Sequence, residues 1–263
     1  MFLAHKPWWP NSAINFLINT ASWTKKLSNI SQLDDVVFEI GGGGSTLLHL
    51  KLGYSVIVLE NNAIWKSLIS ESALTSGFKV FDNLSSFQNS KEKGKLLIFS
   101  TSDWLEVIHY LDLYKYAYVV VDGDFRYEAV KHYNIVGLSR IGFLILDNLE
   151  YCASYGVLPI SAGFPERVVE YRRLLKNNDF RHLILSDENH LDLGSIDNLC
   201  PHYTGIIFSV NSLLNEYLVS SSGVPLLSPA AKDNNDVIDL RARCIYPSQE
   251  NHFFAGKFTL EKK

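Results

Sequence analysis

The sequence predicts an α/β fold, a mostly parallel sheet with helices on both faces, and three observations carry that reading. Short apolar runs at 36–40, 54–59, 96–99, 117–121 and 142–146 lack the polar alternation of a one-sided antiparallel sheet and fit strands buried on both faces. Stretches of helical length, most of them opened by capping residues, separate these runs, which is the alternation expected of a parallel sheet. Polar residues gather where the strands end, at Glu60, Ser100–Asp103, Asp122 and Asp147–Asn148. That edge is where open α/β sheets bind ligands.

With 263 residues, 47% of them hydrophobic, the chain can bury one large core, and a single α/β domain with additions is expected rather than two equal domains. A formal net charge of −4 argues against a dominant phosphate-binding surface, and so against a nucleic-acid partner. Cys152, Cys200 and Cys244 are odd in number and far apart, which indicates neither a disulfide framework nor a zinc site; Cys200-Pro-His202 offers two ligands where a tetrahedral site needs four. The N-terminal stretch has no basic segment followed by a continuous apolar one, and no run of 18 apolar residues occurs, so a cytoplasmic protein without a membrane partner is expected.

The elements follow in order. Asn11 or Ser12 caps a helix from about Ala13 to Trp23, so residues 1–30 form a helical cap, and Trp8 and Trp9 either fasten it to the sheet or line a pocket. Val36, Val37, Phe38 and Ile40 make the first strand. Gly41 to Gly44 stop it, permitting positive φ and close approach of a ligand to bare backbone. Ser45 and Thr46 then cap a helix through Leu47, Leu48 and Leu50, whose N-terminus faces the turn. The run 54–59 is the second strand, closed by Glu60; in dinucleotide folds an acid there holds a ribose. Asn61-Asn62 starts a helix through Trp65, Leu68 and Ile69, with Trp65 on its first turns, either within reach of an adenine or part of the core. Residues 82–95 read as a polar loop. The strand at 96–99 leads into Ser100-Thr101-Ser102-Asp103-Trp104 and a helix to Leu113. The strand at 117–121 ends in Asp122, and twenty-five residues later the next ends in Asp147-Asn148, with a helix over 127–138 between them, so the two are neighbours in a β-α-β unit. Arg167, Arg172, Arg173 and Lys176 are interleaved with Glu166 and Glu170 and read as a solvated helix face. Strands at 182–185 and 205–210 follow, and residues 211–263 form an extension that covers the site or makes a homodimer contact.

Two features bear on the ligand. The dinucleotide fingerprint calls for a third Gly or Ala where this chain has Thr46, and Glu39 stands two residues ahead of Gly41. An acid, then glycines, then an acid closing the next strand resembles the class I S-adenosylmethionine (SAM) dependent methyltransferases, over about residues 31–210. That resemblance implies a Rossmann-like three-layer sandwich with a seven-stranded, mostly parallel sheet whose last strand is antiparallel. It implies that Gly41, Gly42 and Gly43, with Ser45 and Thr46, pass the methionine part of SAM. Glu39 would lie near the ammonium group, Glu60 would bind the ribose hydroxyls with Asn61 and Trp65 beside it, and Asp103 and Trp104 would lie near the adenine. SAM carries a sulfonium and an ammonium but no phosphate, so carboxylates beside the turn are less of a liability than they would be against a pyrophosphate.

Asp122, Asp147 and Asn148 match by position the three metal ligands of the magnesium-dependent catechol-type and caffeoyl-type O-methyltransferases, and three oxygen ligands with open positions suit Mg²⁺. The Asp-Gly-x-x-Arg form of Asp122, Gly123 and Arg126, with the Glu60 and Trp65 pair, also resembles bacterial methyltransferase-like proteins in which the acid need not bind metal. Both readings of Asp122 stand at this point. The implied activity is methyl transfer from SAM to an oxygen or nitrogen of a small-molecule acceptor, with Asp122 best placed to take or hold the acceptor proton and Asp124 and His132 behind it. The alternatives are a non-catalytic protein of this fold that binds a nucleoside or a protein partner, and an NAD-dependent oxidoreductase, against which Thr46 and the lack of a hydride-transfer dyad both speak.

Overall fold

The computed structural model describes residues 32–147, 180–185 and 204–212, with single positions at 9, 13, 14, 16–18, 20, 21, 170, 173, 174, 177, 179 and 214. Among the described residues eight strands form one sheet: β1 (Asp34–Ile40), β2 (Ser55–Leu59), β3 (Lys79–Phe81), β4 (Lys95–Phe99), β5 (Tyr116–Val121), β6 (Leu144–Leu146), β7 (Phe180–Leu185) and β8 (Thr204–Ser209). Their order across the sheet is β3-β4-β2-β1-β5-β6-β8-β7. All pairings are parallel except those of β8, which is inserted antiparallel between β6 and β7. This is the α/β, Rossmann-like class expected, with the antiparallel final strand. The sheet has one strand more than the seven expected.

Helices α1 (Gly44–Lys51), α2 (Ala63–Thr75), α3 (Leu84–Asn89), α4 (Trp104–Leu111) and α5 (Arg126–Val136) cover it. Strand side chains alternate between the faces. Val36, Phe38 and Ile40 pack with Phe87 of α3, Val107 of α4 and Tyr133 of α5. Val37 faces the other way, in a cluster with Leu48 of α1 and the N-terminal Trp9, Phe16 and Leu17. On that side Val56 and Val58 meet Leu47 and Leu50 of α1 and Ile69 and Ala73 of α2. Each such fully buried side chain contributes about 1.5–3 kcal/mol from desolvation, which makes the centre of the sheet a rigid base for its edge loops.

Two elements escape the sequence pattern. Residues 82–95 are not simply a loop, because they contain α3 and lead into β4. Asn83 caps this six-residue helix by accepting from the Ser86 N–H at 2.8 Å, Phe87 is its single buried anchor, and Lys95 Nζ closes the other end by donating to the Ser90 carbonyl at 2.6 Å. Strand β3 is a three-residue edge paired with β4 in the register Val80↔Leu96, and Lys79 on it pairs with Glu92. The cap expected over residues 1–30 is visible only as helical positions between 13 and 21, with Trp9 buried against His49. Apart from 211, 212 and 214, the extension over 211–263 lies outside the described residues, as do Asn148, all three cysteines, His202, Arg167, Arg172 and Lys176. Among the described residues no helix is long and apolar enough to cross a membrane.

Candidate functional site

The register brings the ends of β2, β1 and β5 level, since Ile40 pairs with both Leu59 and Val121. The glycine turn therefore leaves the sheet between Glu60 on one side and Asp122 on the other. Gly41 has φ +84, and a Cβ built on it would lie 1.3 Å from the Asp122 carbonyl oxygen. Only glycine lets these two loops touch. At Gly42 a Cβ would stand 2.8 Å from Ile69 of α2. Gly43 is different: it is the N-cap of α1, and a Cβ there meets nothing within 4 Å. Of the three predicted turn residues, Gly41 and Gly42 serve the packing, and Gly43 presents the open face.

Glu39 is turned inward. It is fully buried, and its carboxylate is taken up from inside by Ser45 Oγ and by Thr46 Oγ1, the latter at 2.5 Å, so it does not present itself to a ligand. Thr46 Oγ1 also accepts from the Gly43 N–H at 3.1 Å, which ties the turn to the helix it opens. Behind them His49 Nε2 lies 3.7 Å from Glu39 Oε1, and His49 Nδ1 is 2.8 Å from the Tyr118 hydroxyl. Burial holds the Tyr118 phenol well above its ordinary range. Glu39, Ser45 and Thr46 form a buried bracket that shapes the turn rather than a contact surface.

Glu60 does stand at the edge, half-buried. Its Oε2 accepts from Gly42 N–H at 3.0 Å and its Oε1 from Asn62 N–H at 2.7 Å, so one carboxylate joins the turn to the start of α2. Each oxygen keeps a further lone pair for a hydroxyl donor. Burial raises the Glu60 pKa above 4.5, the two backbone hydrogen bonds oppose that, and the charges of Asp124 and Glu39 add to it. Asn62 caps α2 through Ile64 and Trp65 N–H, which fixes the half-buried Trp65 on the first turn, five residues beyond Glu60.

Beyond β4, Asp103 is the exposed N-cap of α4, accepting from Leu105 N–H at 2.9 Å. Asp103→Ala is expected to cost about 0.5–2 kcal/mol of stability, the usual value of such a cap, while leaving ligand affinity unchanged; urea denaturation and calorimetry on one sample check both halves. Trp104 is half-buried with its ring 5.6 Å from that of Phe125 and 6.0 Å from His132. Phe125 is a site residue that the sequence reading missed. It precedes α5 with φ +59, a left-handed conformation uncommon for an aromatic residue, and with Trp104 it makes an aromatic shelf at the sheet edge. Burial lowers the His132 pKa, against the opposing charge of Asp112, so His132 is neutral around pH 7.

Asp122 and Asp147 lie at the ends of paired strands, as expected, since Val121 pairs with Leu146. Asn148, the third ligand expected for Mg²⁺, lies outside the described residues. Asp122 Oδ1 holds the buried Arg126 guanidinium at 2.6 Å, a cation that a metal would have to displace. Asp147 is buried with Oδ1 accepting from Thr204 Oγ1 at 2.8 Å. Among the described residues no three His, Cys, Asp or Glu side chains could hold a metal ion. Asn61 also differs from expectation: both ends of its exposed amide are engaged, Oδ1 with Thr101 N–H at 3.0 Å and Nδ2 with Asp124 Oδ2 at 3.1 Å.

No protein family matches the sequence, and no curated protein matches it. Similar solved structures include the O-methyltransferase from Bacillus cereus with S-adenosylhomocysteine (SAH), 15% identical over 72% of this chain and 80% of that one, TM-score 0.43. Another is the O-methyltransferase TomG from Streptomyces achromogenes with SAM, 13% identical over 72% and 79%, TM-score 0.44. A third is the SAH-bound methyltransferase PaMTH1 from Podospora anserina, 12% identical over 72% and 77%, TM-score 0.42. At such identity and superposition the likeness assigns neither family nor activity to the chain.

Proposed function

We propose that this protein is a SAM-dependent methyltransferase acting on an oxygen or nitrogen of a small molecule. The observation that carries the reading is the edge assembly itself: a glycine turn with one open face at Gly43, bracketed by a half-buried carboxylate at the end of the neighbouring strand. Glu60 would accept the two ribose hydroxyls on the lone pairs left by Gly42 and Asn62. The Trp104 and Phe125 rings, tilted 40° to one another, would offer apolar faces for the adenine. SAM would supply an electrophilic methyl group, and the chain's task is to hold donor and acceptor in line and keep water out. Asp122 sits beside the turn, paired with Arg126, and would orient an acceptor hydroxyl or amine by accepting its hydrogen bond. No step is routed through a metal.

The reading is tested by SAH formation on mixing the protein with SAM and panels of small hydroxyl and amine acceptors, with Glu60→Ala as control. Glu60→Ala is expected to weaken SAM by about 1.5–3 kcal/mol, the range for hydrogen bonds to a charged group. SAM binding without SAH production from any acceptor would favour the non-catalytic reading of the fold.

Affinity is also expected to depend on pH. The ribose hydroxyls donate to the ionised carboxylate, so binding should weaken as pH falls through the Glu60 pKa, with a midpoint above 4.5 because burial raises it. The same shift has a sign for folding. A carboxyl whose folded pKa is raised favours the folded state below its unfolded pKa, and that contribution is lost as pH rises through the folded value. Calorimetric titrations from pH 4 to 8, compared with Glu60→Gln, read the binding half directly. A pH-independent wild type would remove Glu60 from the ligand contact.

A further inference from the structure

Strands β2, β1 and β5 are neighbours whose ends are level, so the loops after β2 and β5 stand two strand spacings apart, roughly 9–10 Å, with the glycine turn between them. The Asn61 amide nevertheless reaches Asp124 at 3.1 Å. It leaves from two residues past the end of β2 and lands three residues past the end of β5, so it passes over the exit of β1. The same amide accepts from Thr101 N–H in the loop after β4, which means that one side chain links the loops after β2, β4 and β5. Both Asn61 and Asp124 are exposed, and Asp124 uses its carboxylate on Asn61 while adding to the charge that raises the Glu60 pKa.

We propose that the Asn61–Asp124 hydrogen bond is a bar across this edge that must open before a nucleoside can lie along it from the Glu60 loop to the Asp122 loop. The inference rests on the nucleoside reading above. A ligand taking that path and the bar occupy the same line, so the closed form is incompetent to bind. Its population lowers the observed affinity in proportion to the fraction closed. Asn61 is then not a ligand contact in the free protein but a residue that sets how often the site is open.

The test is stopped-flow tryptophan fluorescence with SAM on the wild type, Asn61→Ala, Asp124→Ala and the double variant. Opening the bar should raise the association rate by about threefold to tenfold in each single variant, the worth of one exposed hydrogen bond, and leave dissociation within about twofold. The double variant should be no faster than either single, since the same bond is removed twice. The sign is decisive for Asp124→Ala. Removing a negative charge near a ligand that carries net positive charge would by itself slow association, so a faster rate has to come from the bar. Unchanged or slower association in both single variants overturns the proposal and returns Asn61 to the role of a ligand contact. If SAM does not bind the wild type at all, the proposed function falls and takes the bar with it; binding with unaltered rates removes the bar alone.

Discussion

Gly41→Ala is expected to remove most of the protein's stability, by more than about 4 kcal/mol, a loss seen only when a core or backbone constraint is broken. The reason is geometric. The position has φ +84, where an L residue costs about 1–2 kcal/mol, and the new methyl would sit 1.3 Å from the Asp122 carbonyl oxygen. Relieving that overlap requires parting the turn from the loop after β5. Two hydrogen bonds hold them in place there, Asp122 N–H to the Ile40 carbonyl at 2.7 Å and Gly41 N–H to the Leu59 carbonyl at 2.9 Å. Urea denaturation of purified variant and wild type gives the difference. A midpoint within experimental error of the wild type would mean that the two loops do not touch as described.

Gly43→Val is expected to do the opposite, lowering SAM affinity at least about a hundredfold, near 2.7 kcal/mol, with stability changed by no more than about 0.5 kcal/mol. Its φ of −179 is extended backbone, and a Cβ there meets no protein atom within 4 Å. The space above it is where the ligand is proposed to approach bare backbone, so an isopropyl group obstructs the ligand and nothing else. The contrast between neighbouring glycines is the informative part. Unaltered affinity in Gly43→Val would show that the ligand does not pass this residue, and loss of cooperative unfolding would make the residue structural.

Much of this edge was legible in the sequence because parallel strands write themselves as apolar runs with their polar ends in register. The runs at 36–40, 54–59, 96–99 and 117–121 became β1, β2, β4 and β5, and Glu60, Asp122 and Asp147 came to the same edge. The helix α3 was not legible, since six residues with one buried anchor show no helical period. What a polar side chain does with its atoms was also hidden. Glu39, Ser45 and Thr46 stand in the right pattern, yet they bind one another because Glu39 lies on the buried face of a central strand. Asp103 has the spacing of a helix cap and serves as one. Arg126 pairs with Asp122 across the turn between β5 and α5, a contact that depends on the turn's backbone and that no helical spacing foretells. Phe125 carried no signal at all, because its role comes from a left-handed backbone that its residue type disfavours.

The central claim is that the turn and Glu60 hold a SAM-type nucleoside, and isothermal titration of the wild-type protein tests it most directly. SAM and SAH should each bind with one-to-one stoichiometry at pH 7.5, both should be lost in Gly43→Val, and NAD should give no heat, since Thr46 stands where the dinucleotide fingerprint calls for a third Gly or Ala. Binding of NAD in preference to SAM, or no heat from any of the three, would contradict the account.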